Sequence, residues 1–470
     1  MVGISVEIEG RKALVLGAGK SGIASAKFLA GRGAVVALHD RKEVESWPEA
    51  ARSLKESHNV GLMAGQIPSW LLDQIDLVVI SPGVPTNTIP ARYVDRKDGE
   101  VIGEVELAYR FMKGRIVGIT GSNGKTTTTT LIGELLKNGG VETQVGGNIG
   151  TPLLSLAETS TDDSWTVAEL SSFQLETIKD FHANVAICLN VTPNHLDRYE
   201  SFTDYAAAKH RIFMNQTSAD LAVLNADDEI TASWAKGLKA NVTMFSSKRE
   251  LDAGLFLRGR ELISRNGGKE KNLTTRDDIF LQGLHNVENV LAGLAAGLAC
   301  GVSPESMRET IRNFHGVEHR IEFVREVNGV KFYNDSKATS VDATVKALEA
   351  LSEGEGQTVL ILGGRGKNAP YSPLIPLIES SVRQLVVIGE DGDNIESQLA
   401  GHAEIVRAGS IEDAVEKSFE GAESGDAVLL APACASFDMF ASYEERGKEF
   451  KRAVMVIKPE NTQLRTANGK

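Results

Sequence analysis

The sequence predicts an α/β protein of three domains, and two observations carry that prediction. Three separate runs of apolar strand, glycine turn and helix follow one another along the chain, the pattern of doubly wound folds. The chain is also 470 residues long, and single cores stop growing near roughly 250–300 residues. Boundaries are expected after residues 103 and 316, giving segments 1–103, 104–316 and 317–470.

The first segment opens with KALVLGAGKSGIASAKFLAGRGAVVALHD. An apolar strand runs into a complete G-x-G-x-x-G from Gly17 to Gly22, a helix follows, and Asp40 closes the next strand. Such a turn lets a pyrophosphate approach a helix N-terminus, while the carboxylate can accept from a ribose. Gly19, Lys20, Ser21 and Asp40 are the candidate contacts. NAD and a nucleotide-diphosphate sugar both meet that description, and a plain strand-to-helix turn meets it too. DLVVISPGVP supplies the next strand and a polar loop at Ser81, Pro82 and Gly83.

The second segment starts at RIVGITGSNGKT. A strict phosphate-loop pattern needs glycine where Ile119 stands. Ile119 lies inside the strand, where a missing glycine costs the phosphate cradle nothing. Gly121, Ser122, Asn123 and Gly124 form the turn and the helix begins at Lys125. Backbone N–H groups of such a loop face phosphate oxygens, Lys125 adds a point charge and the Thr126 hydroxyl can ligate Mg²⁺. The bland alternative is a glycine-rich turn with an ordinary lysine. Glu169 ends the strand TVAELSS, where acidic metal ligands of nucleotide sites sit. His195, in NVTPNHLDRY, would by itself read as a solvated loop residue. Lys209, in DYAAAKHRIF, reads as a surface lysine with its stem laid on the helix. Residues 246–278, charged and glycine-rich, are expected to form a short antiparallel extension. NVENVLAGLAAGLACG and SPESMRETIRNF are helices, the latter capped by Ser303 with Pro304 at its first position.

The third segment begins with a hairpin, RIEFVREVNGVKFYND, turning at Asn328-Gly329. TVLILGGRGK, QLVVIGEDGD and AVLLAPACASFD are buried strands ending in polar loops. Lys337, Lys367 and Ser436 come from three such loops, and two ammonium groups with a hydroxyl suit a small dicarboxylate. Unrelated solvated loops are the alternative. The polar tail 459–470 is expected to fray.

Composition narrows the classes. A net charge of −13 argues against a non-specific nucleic-acid binder. Cys188, Cys300 and Cys434 have no metal or redox spacing and read as reduced thiols of a cytoplasmic protein. No run of 18 apolar residues predicts a membrane span.

In combination these motifs resemble the Mur ligase family. The resemblance rests on TGSNGKT (Thr120 to Thr126), GGNIGTP, ELSSFQL, NHLDRY, GLHNVEN and EHRIE, and on NDSKATS and APACASFDMFASYEERG in the third segment. It implies a Rossmann-like first domain, a central ATPase-type domain with a phosphate loop, and a Rossmann-like third domain. It also implies a monomeric ligase that uses ATP and two Mg²⁺ to join D-glutamate to UDP-N-acetylmuramoyl-L-alanine. By resemblance, Gly121 to Thr127 hold ATP with Asn286, Arg320 and Asp335. Thr126, Glu169 and His195 serve the metals, as does Lys209 in the form of a carbamate, and Lys125, Glu169, His195 and Lys209 carry the catalysis. Gly19, Lys20, Ser21, Asp40, Ser81, Pro82, Gly83, Asn148 and His195 hold the uridine substrate. Lys337, Thr339, Lys367, Ser436, Phe437 and Tyr443 hold D-glutamate. An NAD-dependent oxidoreductase using GAGKSG, or a nucleotide-driven switch that makes no product, are the rival readings.

Overall fold

The structure is a computed structural model that describes residues 7–90, 93, 99–193, 198–281, 283–351, 356–366 and 369–458. His195, Lys367 and the 459–470 tail therefore lie outside the described residues. Chain contacts divide the protein into two compact units, residues 1–314 and 315–470.

The first unit carries two sheets. In the first, five parallel strands stand in the order Gly61–Ala64, Val35–Asp40, Lys12–Leu16, Leu77–Ile80, Glu100–Gly103. The near-continuous apolar runs of the central strands follow from burial on both faces. Lys12–Leu16 pairs with Val35–Asp40 on one side and Leu77–Ile80 on the other. The GAGKSG turn thus leaves the sheet where the winding reverses, the crevice in which such sheets bind ligands.

The second sheet has nine strands. The Arg115–Thr120 strand lies between Trp165–Glu169 and Val185–Cys188, all three parallel. Beyond Gly254–Arg258 the pairing becomes antiparallel through Glu261–Asn266 and Lys269–Thr275, the expected extension. The helices Lys125–Asn138 and Leu284–Ala299 pack together on one face, and the latter buries residues almost all round, as its composition requires.

These two sheets share a core. One cluster of buried apolar side chains runs from Ile8 and Val15 through Leu107 to Phe181 and Leu224. The Glu104–Phe111 helix follows the fifth strand without a break. Its Glu106 accepts the backbone N–H groups of Lys179 (2.8 Å), Asp180 (3.1 Å) and Phe181 (3.0 Å) and pairs with Arg110. Such a fully buried carboxylate is tolerated because each lone pair finds a donor.

The second unit holds six strands in the order Glu322–Val327, Val330–Asn334, Ala427–Leu430, Thr358–Gly363, Val382–Ile388, Glu404–Arg407. All pair in parallel except the edge hairpin, which turns at Asn328-Gly329 as its sequence predicts. Its two apolar clusters belong to this unit alone.

Candidate functional site

The loop from Gly121 to Gly124 is braced by the ends of the strands beside it. Ser122 N–H donates to Asn190 O (3.0 Å) and Asn123 N–H to the Asn190 side chain (2.8 Å). The Thr120 hydroxyl donates to Leu170 O (2.8 Å). Gly124 caps the helix at φ 82°, and a Cβ there would collide with Asn289 Oδ1, so glycine is required twice over. Asn289 in turn accepts from the Thr128 hydroxyl (3.1 Å) and donates to Asn286 (3.1 Å). The predicted adenine-side residue Asn286 is thereby tied to the phosphate-loop helix. Thr126 and Thr127 stand in the first turn, Thr126 buried.

Lys125 bends back over the loop and donates to Gly121 O (2.8 Å) and Ser122 O (3.0 Å). Lys209 donates to the same Gly121 carbonyl at 2.8 Å and lies 4.5 Å from the Tyr205 ring centroid. It is 2% exposed, which corrects the expectation of a surface lysine. The Phe202–His210 helix brings its last turn against the phosphate loop, where Lys209 reaches Gly121 O. Burial, and then the neighbouring charge of Lys125, push its amine down to about 7.

Glu169, also 2% exposed, accepts from the Asn148 amide (2.9 Å) through one oxygen, while its buried Oε2 has no hydrogen-bond partner among the described residues. Asn148, expected to contact the uridine substrate, here orients this carboxylate. An orphaned, buried carboxylate oxygen fits a hard divalent cation such as Mg²⁺. No cluster of three His, Cys, Asp or Glu exists among the described residues.

At the first glycine turn Ser81 donates to Gly17 O (3.4 Å). Asp40 accepts from Ala18 N–H (3.0 Å) and Lys42 N–H (3.1 Å). Burial alone would raise its pKa, but those amides outweigh it and hold the carboxylate lower. Asp40 thus braces the turn itself. Gly19, Lys20 and Gly83 are exposed, and Ser21 and Pro82 half-buried. Beside them a groove of about 590 Å³ is lined by His39, Arg41, Gln66 and Thr88, residues that no motif in the sequence singles out. Glu104, at the joint between the sheets, accepts from Leu154 N–H (2.8 Å), and its other oxygen has no partner among the described residues.

In the second unit, burial raises Asp335 to about 6 against the pull of Arg320. Lys337 and Thr339 are half-buried, Ser436 is buried, and Phe437 is 64% exposed. Tyr443 begins the last helix, edge-on to His319 at 6.3 Å. Sequence reasoning missed the residue that joins these loops. Arg446 is 1% exposed and donates to the Ser336 hydroxyl (3.0 Å), Ser336 O (2.9 Å) and Cys434 O (3.2 Å). Within EERGKEF it looks like one more charge on a solvated helix. The only signal was Gly447 beside it, where a Cβ would collide with His319.

This arrangement defines a nucleotide-binding α/β protein whose phosphate loop shares a unit with a second nucleotide-ready turn. Three domain descriptions match it in order. These are the Mur ligase MurD-like N-terminal domain (residues 11–103), the Mur ligase middle domain (119–297) and the Mur ligase glutamate ligase domain (319–434). The chain belongs to the Mur ligase family. Relatives named UDP-N-acetylmuramoylalanine–D-glutamate ligase match nearly end to end. The protein of Koribacter versatilis is 47% identical over 96% of this chain and 98% of its own length. That of Solibacter usitatus is 47% identical over 97% and 100%. Among solved structures, the fold is shared with UDP-N-acetylmuramate-alanine ligase from Thermotoga maritima (TM-score 0.52, 20% identity, 94% of this chain and 99% of that one). It is shared too with MurF from Acinetobacter baumannii (TM-score 0.55, 17% identity, 81% and 86%).

Proposed function

We propose that this protein joins D-glutamate to UDP-N-acetylmuramoyl-L-alanine with ATP as the energy source. The observation that carries the reading is near-full-length identity of 47% to relatives bearing that name, and the phosphate loop with its two converging lysines supports it. The L-alanyl carboxylate attacks the γ-phosphorus and ADP leaves, giving an acyl phosphate. The D-glutamate amine then attacks the acyl carbon, phosphate departs, and the amine gives up a proton. Both nucleophiles are mobile, so positioning and charge neutralisation supply most of the rate.

In this reading segment 1–103 binds the uridine substrate, 104–316 binds ATP and 317–470 binds the amino acid. The backbone from Gly121 to Gly124 cradles phosphates, and Lys125 leaves its carbonyls to follow the transferred charge. Thr126, Glu169 and His195 would hold Mg²⁺, which neutralises phosphate charge. The neutral amine of Lys209 would add to CO₂ and give up a proton, and the resulting carbamate would hold a second Mg²⁺. Asn286, Arg320 and Asp335 hold the nucleoside end of ATP. Lys337, Thr339, Lys367, Ser436, Phe437 and Tyr443 receive D-glutamate. Gly19, Lys20, Ser21, Asp40, Asn148 and the 81–83 loop seat the uridine diphosphate. Both ATP and a uridine-nucleotide substrate are cytoplasmic pools, and the protein works there. Among the described residues no helix is long and apolar enough to cross a membrane.

Phosphate release with ATP, UDP-N-acetylmuramoyl-L-alanine and D-glutamate, each omitted in turn, tests the proposal. A ligase needs all three. Sustained release without the amino acid would indicate a switch, and nicotinamide reduction would indicate an oxidoreductase.

A further inference from the structure

The loop after the Leu77–Ile80 strand is held by a side chain that the proposed chemistry does not use. Arg198 donates to Pro82 O (2.7 Å) and Val84 O (3.4 Å), and its guanidinium carbon lies 3.8 Å from the Phe173 ring centroid. Phe173 sits on the Ser172–Leu175 helix, four residues past the end of the Trp165–Glu169 strand. Its ring stacks on Tyr199 (5.7 Å, 12°), and Tyr199 meets Tyr205 edge-on at 5.3 Å. The Tyr205 hydroxyl is 3.0 Å from Ser122 Oγ in the phosphate loop, and Lys209 lies over the same ring. At the far end, Ser81 of the held loop donates to Gly17 of the first glycine turn. An unbroken run of contacts therefore joins the two glycine turns, with Arg198 bridging Phe173 and the carbonyls of the 81–84 loop.

We propose that Arg198 is a positioning residue, which sets the 81–84 loop for the uridine substrate and transmits the state of the phosphate loop to it. The inference rests on the reading of the first glycine turn as the uridine-diphosphate site. Three physical points carry it. The loop is a turn closed by Val84 N–H on Ser81 O (2.9 Å), and the Pro82 and Val84 carbonyls are bound by Arg198. Because the peptide is planar and trans, turning Pro82 O toward Arg198 turns the Gly83 N–H to the opposite side of the loop. A planar guanidinium can engage two carbonyls and an aromatic face together, whereas an ammonium cannot do all three. The aromatic run from Phe173 to Tyr205 is close-packed, so a shift of the phosphate loop at Ser122 is passed on rather than absorbed.

Calorimetry of UDP-N-acetylmuramoyl-L-alanine binding tests this, with and without a non-hydrolysable ATP analogue and Mg²⁺, on wild type, Arg198→Ala and Arg198→Lys. Steady-state KM values and melting temperatures are measured on the same proteins. Arg198→Ala is expected to weaken uridine-substrate binding about tenfold, the loss of a charge-assisted hydrogen-bond pair. It should also erase the change in affinity that the ATP analogue produces in wild type, while KM for D-glutamate and melting temperature stay unchanged. Arg198→Lys should recover only a minor part of both effects. Unchanged substrate affinity in Arg198→Ala, a wild type indifferent to the ATP analogue, or an equal loss for all three substrates with a fall in melting temperature would each overturn the inference. Failure of wild type to bind the uridine substrate would overturn the site reading and this inference with it.

Discussion

Lys125 and Lys209 donate to one carbonyl, and an arriving phosphate must draw at least one of them away. Lys125, half-buried on the loop, can follow the phosphate. Lys209 is buried on a helix and held near neutrality, so it is suited to lose its charge rather than its place. Lys209→Ala is expected to keep the fold and lower kcat about a hundredfold or more, with partial rescue by added short carboxylic acids. In ¹³C-bicarbonate with Mg²⁺, wild type should show a labelled carbamate resonance that Lys209→Ala lacks; no such resonance in wild type would exclude the carbamate. Glu104 makes a second prediction, with its sign set by burial. Its carboxyl is raised from 4.5 to about 7. Between those values the unfolded chain ionises while the folded chain holds its proton, so this group costs stability as pH rises through that window. Above about 7 the cost is constant, on the order of 3 kcal/mol. Glu104→Gln should therefore raise the melting temperature at pH 8 and change it little at pH 4.5.

At the scale of elements, the loops of the second unit are organised from behind by the last helix. Arg446→Met would leave the Ser336 and Cys434 carbonyls buried without donors, at a cost of about 2–4 kcal/mol. The KM for D-glutamate should rise with it, because the loops bearing Lys337 and Ser436 lose their common anchor. A melting temperature within a degree of wild type would show that the clasp is not needed. Elements of this kind mark the limit of what sequence reveals. The strands running into the turns at Gly17, Gly121, Gly363 and Gly389 were legible, because the apolar run, the turn chemistry and the helix start are local, whereas Gly61–Ala64 and Thr143–Gly147, short and weakly apolar, were not read. The 328–329 hairpin and the 246–278 extension were legible for the same reason. Lys209 and Arg446 were not. Their burial depends on which loop a helix packs against, and a lone cation on an otherwise ordinary helix carries no local trace of that. The Asn148–Glu169 bond was hidden likewise, since it joins a loop to a strand 21 residues away.

For the whole molecule the division of the core matters more than the number of sheets. Residues 315–470 own both of their apolar clusters. The first sheet instead shares its main cluster with the second. A fragment of residues 315–470 is expected to unfold in one cooperative transition by circular dichroism. A fragment of residues 1–103 is expected to lack one, and 1–314 to regain it. Cooperative unfolding of 1–103 alone would show that its private cluster around Leu14 and Tyr93 suffices.

The continuous core between the first two sheets also bears on how such a chain can change over generations. A genetic crossover near residue 314 exchanges one self-contained body for another and leaves every buried side chain among its own neighbours. A crossover near residue 103 cuts through the packing of Leu107, Phe181 and Val15 and confronts each half with a foreign complement. Arg110, whose guanidinium forks onto Glu100 (2.9 and 2.8 Å), would meet a strand it was not selected with. Recombination between relatives should therefore pass on the first two sheets as a linked pair, while the terminal body is free to be traded.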